Sequence, residues 1–493
     1  MNAPLIWILL PGVLAFVLFF IRWRTVLASS IAAAGCLFLA FFASQLPFGE
    51  ALAFGPFSIR INESLSLLGR SLILTEAQRP LLVVLYLIAV FWFLGALLVQ
   101  PGELFPPISL ATVALLIAAL AVQPFLYAAL MIEIAILLLV PLLVPPRRSP
   151  GRGVFRFLAF QTFGMPFILF VGWMLAGVEA SPGDLDLVVR ASLLLGLGFA
   201  FLLAIFPFHS WVPMLAEENN PYVVAFIFFM LSTTVSLFGL GFLNRFAWLR
   251  DSSSMHELLG AAGLIMSLIG GVWYSFQTHL GRMLGFAAMA EVGFSLLAIS
   301  IGDGTAIFLF FALMVHRAIS YFLIALGIGQ ISELISGDLN FEAFRGLGVG
   351  FLPAAGLIFL SQLSLAGMPL LAGFPYRFAL LQRLAEQNIF ASIAVLVSSG
   401  GLLLGALRTF GVLMDLRSQD SKTENLAALN SSLQFPSSSP NPGSMNSWII
   451  LAFVFIFLLL LGMFPQALMP LLEPLPDMFD QLVQQPALIP AML

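Results

Sequence analysis

Apolar runs long enough to cross a bilayer recur along almost the whole chain, and they admit one class of fold. Lipid offers no hydrogen-bond partners to backbone groups, so each run must satisfy its own N–H and C=O groups as a helix. Only 9% of the 493 residues are charged, and mean hydropathy is +1.06. A water-facing domain carries about 25% charged residues, so this chain cannot cover a soluble surface. Apolar runs fall roughly at 4–21, 26–46, 80–99, 107–122, 124–145, 155–177, 189–212, 221–243, 256–276, 284–301, 304–331, 349–371, 374–415 and 447–471. The 374–415 run is too long for one span and must hold a short broken segment followed by a full helix. The expected fold is all-α: a polytopic membrane protein of about 14 transmembrane helices. The start, MNAPLIWILLPG, lacks a basic n-region and a small-residue cleavage site, so it reads as a retained first helix. The single cysteine, Cys36, provides neither a disulfide nor a cysteine metal site. The net charge of −4 gives no reason to expect nucleic acid.

One stretch breaks the pattern. In GFAFLLAIFPFHSWVPMLAEENNPYVVAFIFFMLSTTVSLFGLG (198–241), an apolar run is interrupted at Pro207–Pro213 and resumes after an acidic turn at Glu217 and Glu218. Two prolines six residues apart remove two backbone donors and bend or unwind a helix. Irregular backbone at that depth must be buried in protein or line a wet cavity, and His209 lies inside the break. Most membrane prolines merely kink a helix. A broken helix that carries a histidine is also how many transporters build a midplane site.

A second break, LAGMPLLAGFPYRF (365–378), occupies the same place in a second five-helix unit. Glu133 lies in the second helix of the first unit, and Glu291 in the second helix of the other. Five is odd, so two consecutive copies would have opposite orientation. The expected organisation is N-terminal helices over 1–106, inverted five-helix repeats over 107–243 and 256–415, a flexible Ser/Asn/Pro-rich loop over 416–446, and a C-terminal helix and tail over 447–493. Residues 48–79 are too polar to span and suggest a short hairpin or surface helix. Arg22, Arg24, Arg147, Arg148, Arg152 and Arg156 crowd the loops after the first and fifth spans. The positive-inside rule then puts both termini outside, with Arg245 and Arg250 running against it.

An ionisable group at membrane depth costs on the order of 2.5–3.5 kcal/mol, so each is a functional candidate. These are Glu133, Glu291, His316, Arg317 and Arg377, with His209 at the first break. A carboxylate such as Glu133, with no local cation, is disfavoured as an anion and suited to carrying a proton. Its bland alternative is a neutral acid bonded to a neighbouring helix. His316 suits a relay, although a lone membrane histidine is more often a satisfied interhelical bond. Arg317 and Arg377 cannot release a proton, so they serve as fixed charges or as partners to carboxylates. The glycines before Arg377 fit close helix packing equally well. The chain has one lysine, Lys422, which lies in a polar loop.

The ordered motifs resemble the antiporter-like membrane subunits of respiratory complex I, Mrp-type cation/proton antiporters and membrane-bound hydrogenases. PFHSWVP resembles the first half of that family's PFHxWLPDAHxxAPTPVSA signature, with Met214 where the Asp falls. QTHLGRMLGFAAMAEVGF resembles QxDLKRLLAYSSIxHMGF, with Arg282 retained and Glu291 at its His or Gln position. FALMVHRAISYFLIALGIG resembles NHAxxKAxLFLxxG, with His316 on its histidine and Ser320 on its lysine. SLAGMPLLAGFPYRF resembles LAGxPPLxGFxSKF, with Arg377 on its Lys or Glu. The resemblance covers roughly residues 107–385 and places Glu133 at the family's conserved glutamate. It implies a subunit that conducts protons or another monovalent cation in a bacterial-type inner or energy-coupling membrane. Its partners would be other membrane subunits and the lipid bilayer, with quinone and redox centres on partner chains. No cofactor, metal site or catalysis by this chain alone is implied.

The departures matter as much. The family's lysine before PFHxW falls on Leu202, the cation of the next helix near Ile227, and the later lysine on Ser320. Glu133 thus lacks the partner through which the resemblance would couple it, and the second half is expected to carry any surviving path. One rival is a structural or assembly subunit of the same fold. A polytopic membrane enzyme using His209 or His316 finds no Ser/His/Asp set or metal-ligand spacing to support it.

Overall fold

The computed structural model describes residues 2–49, 51–54, 57–67, 69–144, 149–180, 185–332, 337–415 and 445–483. The helices in chain order are α1 (Leu10–Phe20), α2 (Thr25–Gln45), α3 (Arg79–Val99), α4 (Phe105–Ala121), α5 (Ala128–Leu143), α6 (Arg152–Ala180), α7 (Leu185–Leu202) and α8 (Trp211–Glu218). They continue with α9 (Pro221–Arg245), α10 (Ser253–Phe276), α11 (Leu280–Ser300), α12 (Gly304–Ser332), α13 (Leu352–Ala366), α14 (Phe374–Gln387), α15 (Ile389–Leu413) and α16 (Met445–Met463). Among the described residues, nine helices are long and apolar enough to cross a membrane. A tenth span appears if the pair bent by 95° at Phe464 is counted as one. Leu5–Phe20, Phe105–Ala121 and Leu352–Ala366 are apolar but shorter, so a total of fourteen spans has to include segments below full crossing length. The chain is an integral membrane protein built almost wholly of helices.

The polar segment at 48–79 forms hairpins rather than a surface helix. Strands β1 (Ala51–Phe54) and β2 (Phe57–Arg60) pair antiparallel, as do β3 (Ser64–Leu67) and β4 (Arg70–Ile73). β4 adds the two-residue β5 (Val122–Gln123), which ties the hairpin to the end of α4. The low-complexity loop and the Arg147/Arg148 pair lie outside the described residues.

Both expected breaks are present. Between α7 and α8 the chain passes through a 3₁₀ turn at Phe208–Ser210, and between α13 and α14 through 367–373. α8 ends beside α6, where Glu218 accepts a hydrogen bond from the Gly153 amide at 2.8 Å. Arg282 faces Glu217 at 3.5 Å on that same side. α14 ends on the opposite face, where Gln387 donates to the Ile301 carbonyl at 3.4 Å. The face of Ile301 also holds Asn244, which reaches Asp480 of the C-terminal segment at 3.4 Å.

α11 lies at the centre of this arrangement, and its small residues let other helices approach closely. α8 lies against one end: a Cβ on Gly281 would stand 2.1 Å from the Ala216 carbonyl oxygen. α10 lies along the middle, where a Cβ on Gly293 would stand 2.4 Å from the Ser267 amide nitrogen. Backbone contacts of this kind cannot be relieved by a rotamer change. Gly281→Ala and Gly293→Ala should each cost about 1–3 kcal/mol by overpacking. A lowered unfolding midpoint of the detergent-solubilised protein checks this; unchanged midpoints would show that α11 is less tightly held.

Candidate functional site

The charges inside the membrane converge on α11. Glu291 lies eleven residues past Leu280, about 16 Å along the helix and so near mid-membrane. Its side chain is 1% exposed, and Oε1 pairs with Nη2 of Arg377 from the first turn of α14. Arg377 also donates from Nη1 to Ser399 Oγ of α15 at 3.1 Å. Its guanidinium lies 4.0 Å from the centre of the Phe294 ring, a further attraction for a desolvated cation. The break before α14 brings Arg377 to this depth: the helix starts inside the protein and carries the arginine in with it.

Arg317 of α12 is fully buried nearby. It donates from Nη1 to Ser295 Oγ of α11 at 3.3 Å and from Nη2 to Thr233 Oγ1 of α9 at 2.9 Å. This fixed cation therefore joins α9, α11 and α12. The adjacent His316 points another way. Its Nε2 lies 3.1 Å from the Ser364 carbonyl, 3.2 Å from Ser364 Oγ and 3.1 Å from Ser320 Oγ. A carbonyl only accepts, so Nε2 carries the proton in that arrangement and Nδ1 is left as the acceptor. Ser320, where the resemblance puts a lysine, is a hydrogen-bond neighbour of the histidine instead.

Several buried polar atoms here have no protein partner: Glu291 Oε2, Arg317 Nε, Arg377 Nε, His316 Nδ1 and the Tyr321 hydroxyl. Buried polar groups are as a rule bonded to protein or ordered water, so this cluster is suited to hold water.

Glu133 and His209 stand apart from it. Glu133, 7% exposed on α5, accepts a hydrogen bond from Thr162 Oγ1 of α6 at 2.7 Å. No cation among the described residues pairs with it. His209 is half-buried and stacks at 5.4 Å on Phe206, itself 51% exposed. The first break therefore sets its histidine apart from the Glu291 cluster, with the ring on Phe206 and Nδ1 buried without a protein partner.

Leu202 and Ile227, the positions where the resemblance places cations, line one small cavity of about 30 Å³. Met289 and Val292 of α11 and Met266 of α10 close one side, and Ser232 and Trp211 supply the only side-chain nitrogen or oxygen atoms of its lining. The Ser232 hydroxyl is already bonded to the Phe228 carbonyl. A bridging water needs two to four polar partners, and the side chains of this gap offer few. Sequence reasoning missed Thr162, Thr233, Ser295 and Ser399, because isolated hydroxyls in apolar helices give no pattern that names their partners.

A family model described as "NADH:quinone oxidoreductase/Mrp antiporter, TM" matches residues 184–403. NADH-quinone oxidoreductase subunit N of Cytophaga hutchinsonii is 30% identical over 287 residues, which is 56% of each chain. The subunit N of Ectopseudomonas mendocina is 26% identical over 348 residues, 66% of each. The chain thus spans between half and two thirds of the length of these curated relatives. The fold is similar to a chain of Thermus thermophilus respiratory complex I, with a TM-score of 0.71, 21% identity and 98% and 100% of the two chains covered. It is also similar to a chain of the Mrp complex of a Dietzia species, with a TM-score of 0.75, 16% identity and 98% and 99% covered.

Breaking a buried ion pair by removing one partner typically costs about 3–5 kcal/mol, whereas replacing both with packed apolar groups is often neutral. Arg377→Met should therefore destabilise by roughly that amount, and Glu291→Leu with Arg377→Met should recover most of it. Unfolding free energies of the two singles and the double form the cycle that checks it. Additive losses would show that the two side chains do not pair.

Proposed function

We propose that this chain, a member of the NADH:quinone oxidoreductase/Mrp antiporter membrane family, conducts protons or another monovalent cation as one membrane subunit of a larger complex. The observation that carries this reading is the buried cluster of Glu291, Arg377, Arg317 and His316, with its unpartnered polar atoms, at mid-membrane beside a broken helix. An ion pair at that depth is expensive and marks a pathway by default. Arg317 and Arg377 act as fixed charges, because an arginine does not give up its proton. Glu291 and His316 are then the groups that exchange protons. Electron transfer belongs to partner subunits: the chain has no P-loop, no G-x-G-x-x-G fingerprint and no cysteine cluster.

The two broken helices run from the membrane interior to opposite faces, which supports an inverted relationship between 107–243 and 256–415. The face that carries Asn2, β3, β4 and Asp480 is the outer one, because Arg22, Arg152, Arg156 and Arg282 gather on the other.

The halves are not equivalent. Glu133 bonds to a threonine through one oxygen, and the positions where the resemblance places its cations, Leu202 and Ile227, line an apolar cavity, which supports conduction through the second half. A non-conducting structural subunit is the reading that the same gap favours if the Glu291 cluster is static. Replacement in the reconstituted complex separates the two. Glu291→Gln and His316→Ala should each reduce proton flux at least tenfold, and Glu133→Gln should leave it within about twofold, given the scale of 1.4 kcal/mol per decade. Unchanged flux in all three would establish the structural reading, and an equal loss in Glu133→Gln would show that the first half conducts as well.

A further inference from the structure

A second acid–arginine pair lies between the same two parts of the molecule as the first. On α14, six residues after Arg377, Arg383 pairs through Nη2 with Asp303 in the turn after α11. Nη2 also lies 3.1 Å from Thr305 Oγ1, and Nη1 reaches Glu386 at 3.0 Å. Asp303 is only 8% exposed and is anchored independently of α14. Its Oδ1 accepts from the Ala306 amide at 2.8 Å and from Thr305 Oγ1 at 2.6 Å, so it caps the start of α12. The pair therefore ties α14 to a rigid corner of the bundle and does not merely decorate a surface.

The geometry of α14 gives this tie a consequence. Twelve residues separate the two acids, nine of them in helix, and six separate the two arginines, about 9 Å of helix. Between the arginines, the buried face of α14 presents only Leu380, and Leu384 follows one residue past Arg383. At its inner end the chain is bent rather than helical: Gly367 has φ +75° and Leu370 φ +71°, the latter a left-handed conformation that a leucine adopts at a cost. Gly367 lies directly against the Arg377 side chain, with room for no Cβ. α14 is thus a short stiff rod, jointed at its inner end and held at its outer end by Asp303, by Gln387 on the Ile301 carbonyl and by the turn at Asn388 into α15. A helix of this length moves as a unit, so the orientation of Arg377 depends on the outer anchor.

We propose that Asp303 and Arg383 are positioning residues for the Glu291 site: their pair at the membrane surface holds α14 in the orientation that presents Arg377 to Glu291. When this outer tie opens, α14 pivots on 367–373, Arg377 leaves Glu291, and Glu291 can take up a proton. When it closes, Arg377 returns and the proton is expelled. The inference rests on the reading of Glu291 as a proton-exchanging group and names what controls it.

The test is infrared spectroscopy of the purified protein at neutral pH, with the Glu291 carboxyl band identified by its loss in Glu291→Gln. Asp303→Asn keeps the cap on α12, because asparagine accepts the same hydrogen bonds, but removes the charge. Arg383→Gln removes the other partner, and Arg383→Lys retains a cation. A protonated Glu291 band should appear in Asp303→Asn and Arg383→Gln at several times the native intensity, with Arg383→Lys close to native. If Arg383→Gln does not accumulate, Asp303→Asn decides alone. A Glu291 band unchanged in Asp303→Asn overturns the proposal. This readout needs no transport, so its failure is distinct from failure of the conduction reading, which flux in Glu291→Gln tests separately.

Discussion

An ion pair with no access to bulk water constrains everything around it, and here the pair is Glu291 with Arg377. Neither charge tolerates the apolar interior alone, and their mutual attraction offsets desolvation only when geometry and further hydrogen bonds are good. Arg377 meets that condition through Ser399 and the face of Phe294. Delivering an arginine to this depth requires a helix that begins inside the protein, and that is what the break at 367–373 provides. The irregular backbone there is possible because other helices bury it, as lipid would not satisfy it.

α11 is the element on which the constraint acts. It carries Glu291, receives α10 and α8 against its glycines, and leads directly into Asp303. Because α8 contacts one end and α14 is tied to the middle and the other end, both broken helices share one rigid support. Arg317 extends the link to α9 through Thr233. A change in charge at Glu291 is therefore felt by α9 as well as by α12 and α14, while the small cavity at Leu202 and Ile227 is lined almost wholly by apolar side chains.

Much of this was legible in the amino-acid order. Apolar runs admit only helices, paired prolines and glycines mark breaks, and each acid or arginine at depth announces itself by its cost. Pairing was less legible, because periodicity places Glu291 on a helix without saying that an arginine 86 residues on will meet it. His209 shows the limit from the other side: its residue type and its place in the break suggested a site, but a 3₁₀ turn rotates the ring onto Phe206. Leu202 and Ile227 were readable singly as absent cations, but only the packing of α7 against α9 shows that they share one cavity. Asp303 and Arg383 went unnoticed because both read as loop and surface charges. The resemblance supplied the frame within which these departures acquired meaning.

Water should collect in the polar cluster around Glu291 and not in the apolar cavity at Leu202 and Ile227. Locating ordered water in an experimental density map of the assembled complex tests it most directly. Waters are expected on Glu291 Oε2, Arg317 Nε and the Tyr321 hydroxyl, with at most one isolated water, on Trp211, in the cavity at Leu202 and Ile227. A continuous file of waters running from Glu133 past Leu202 and Ile227 to α11 would contradict it.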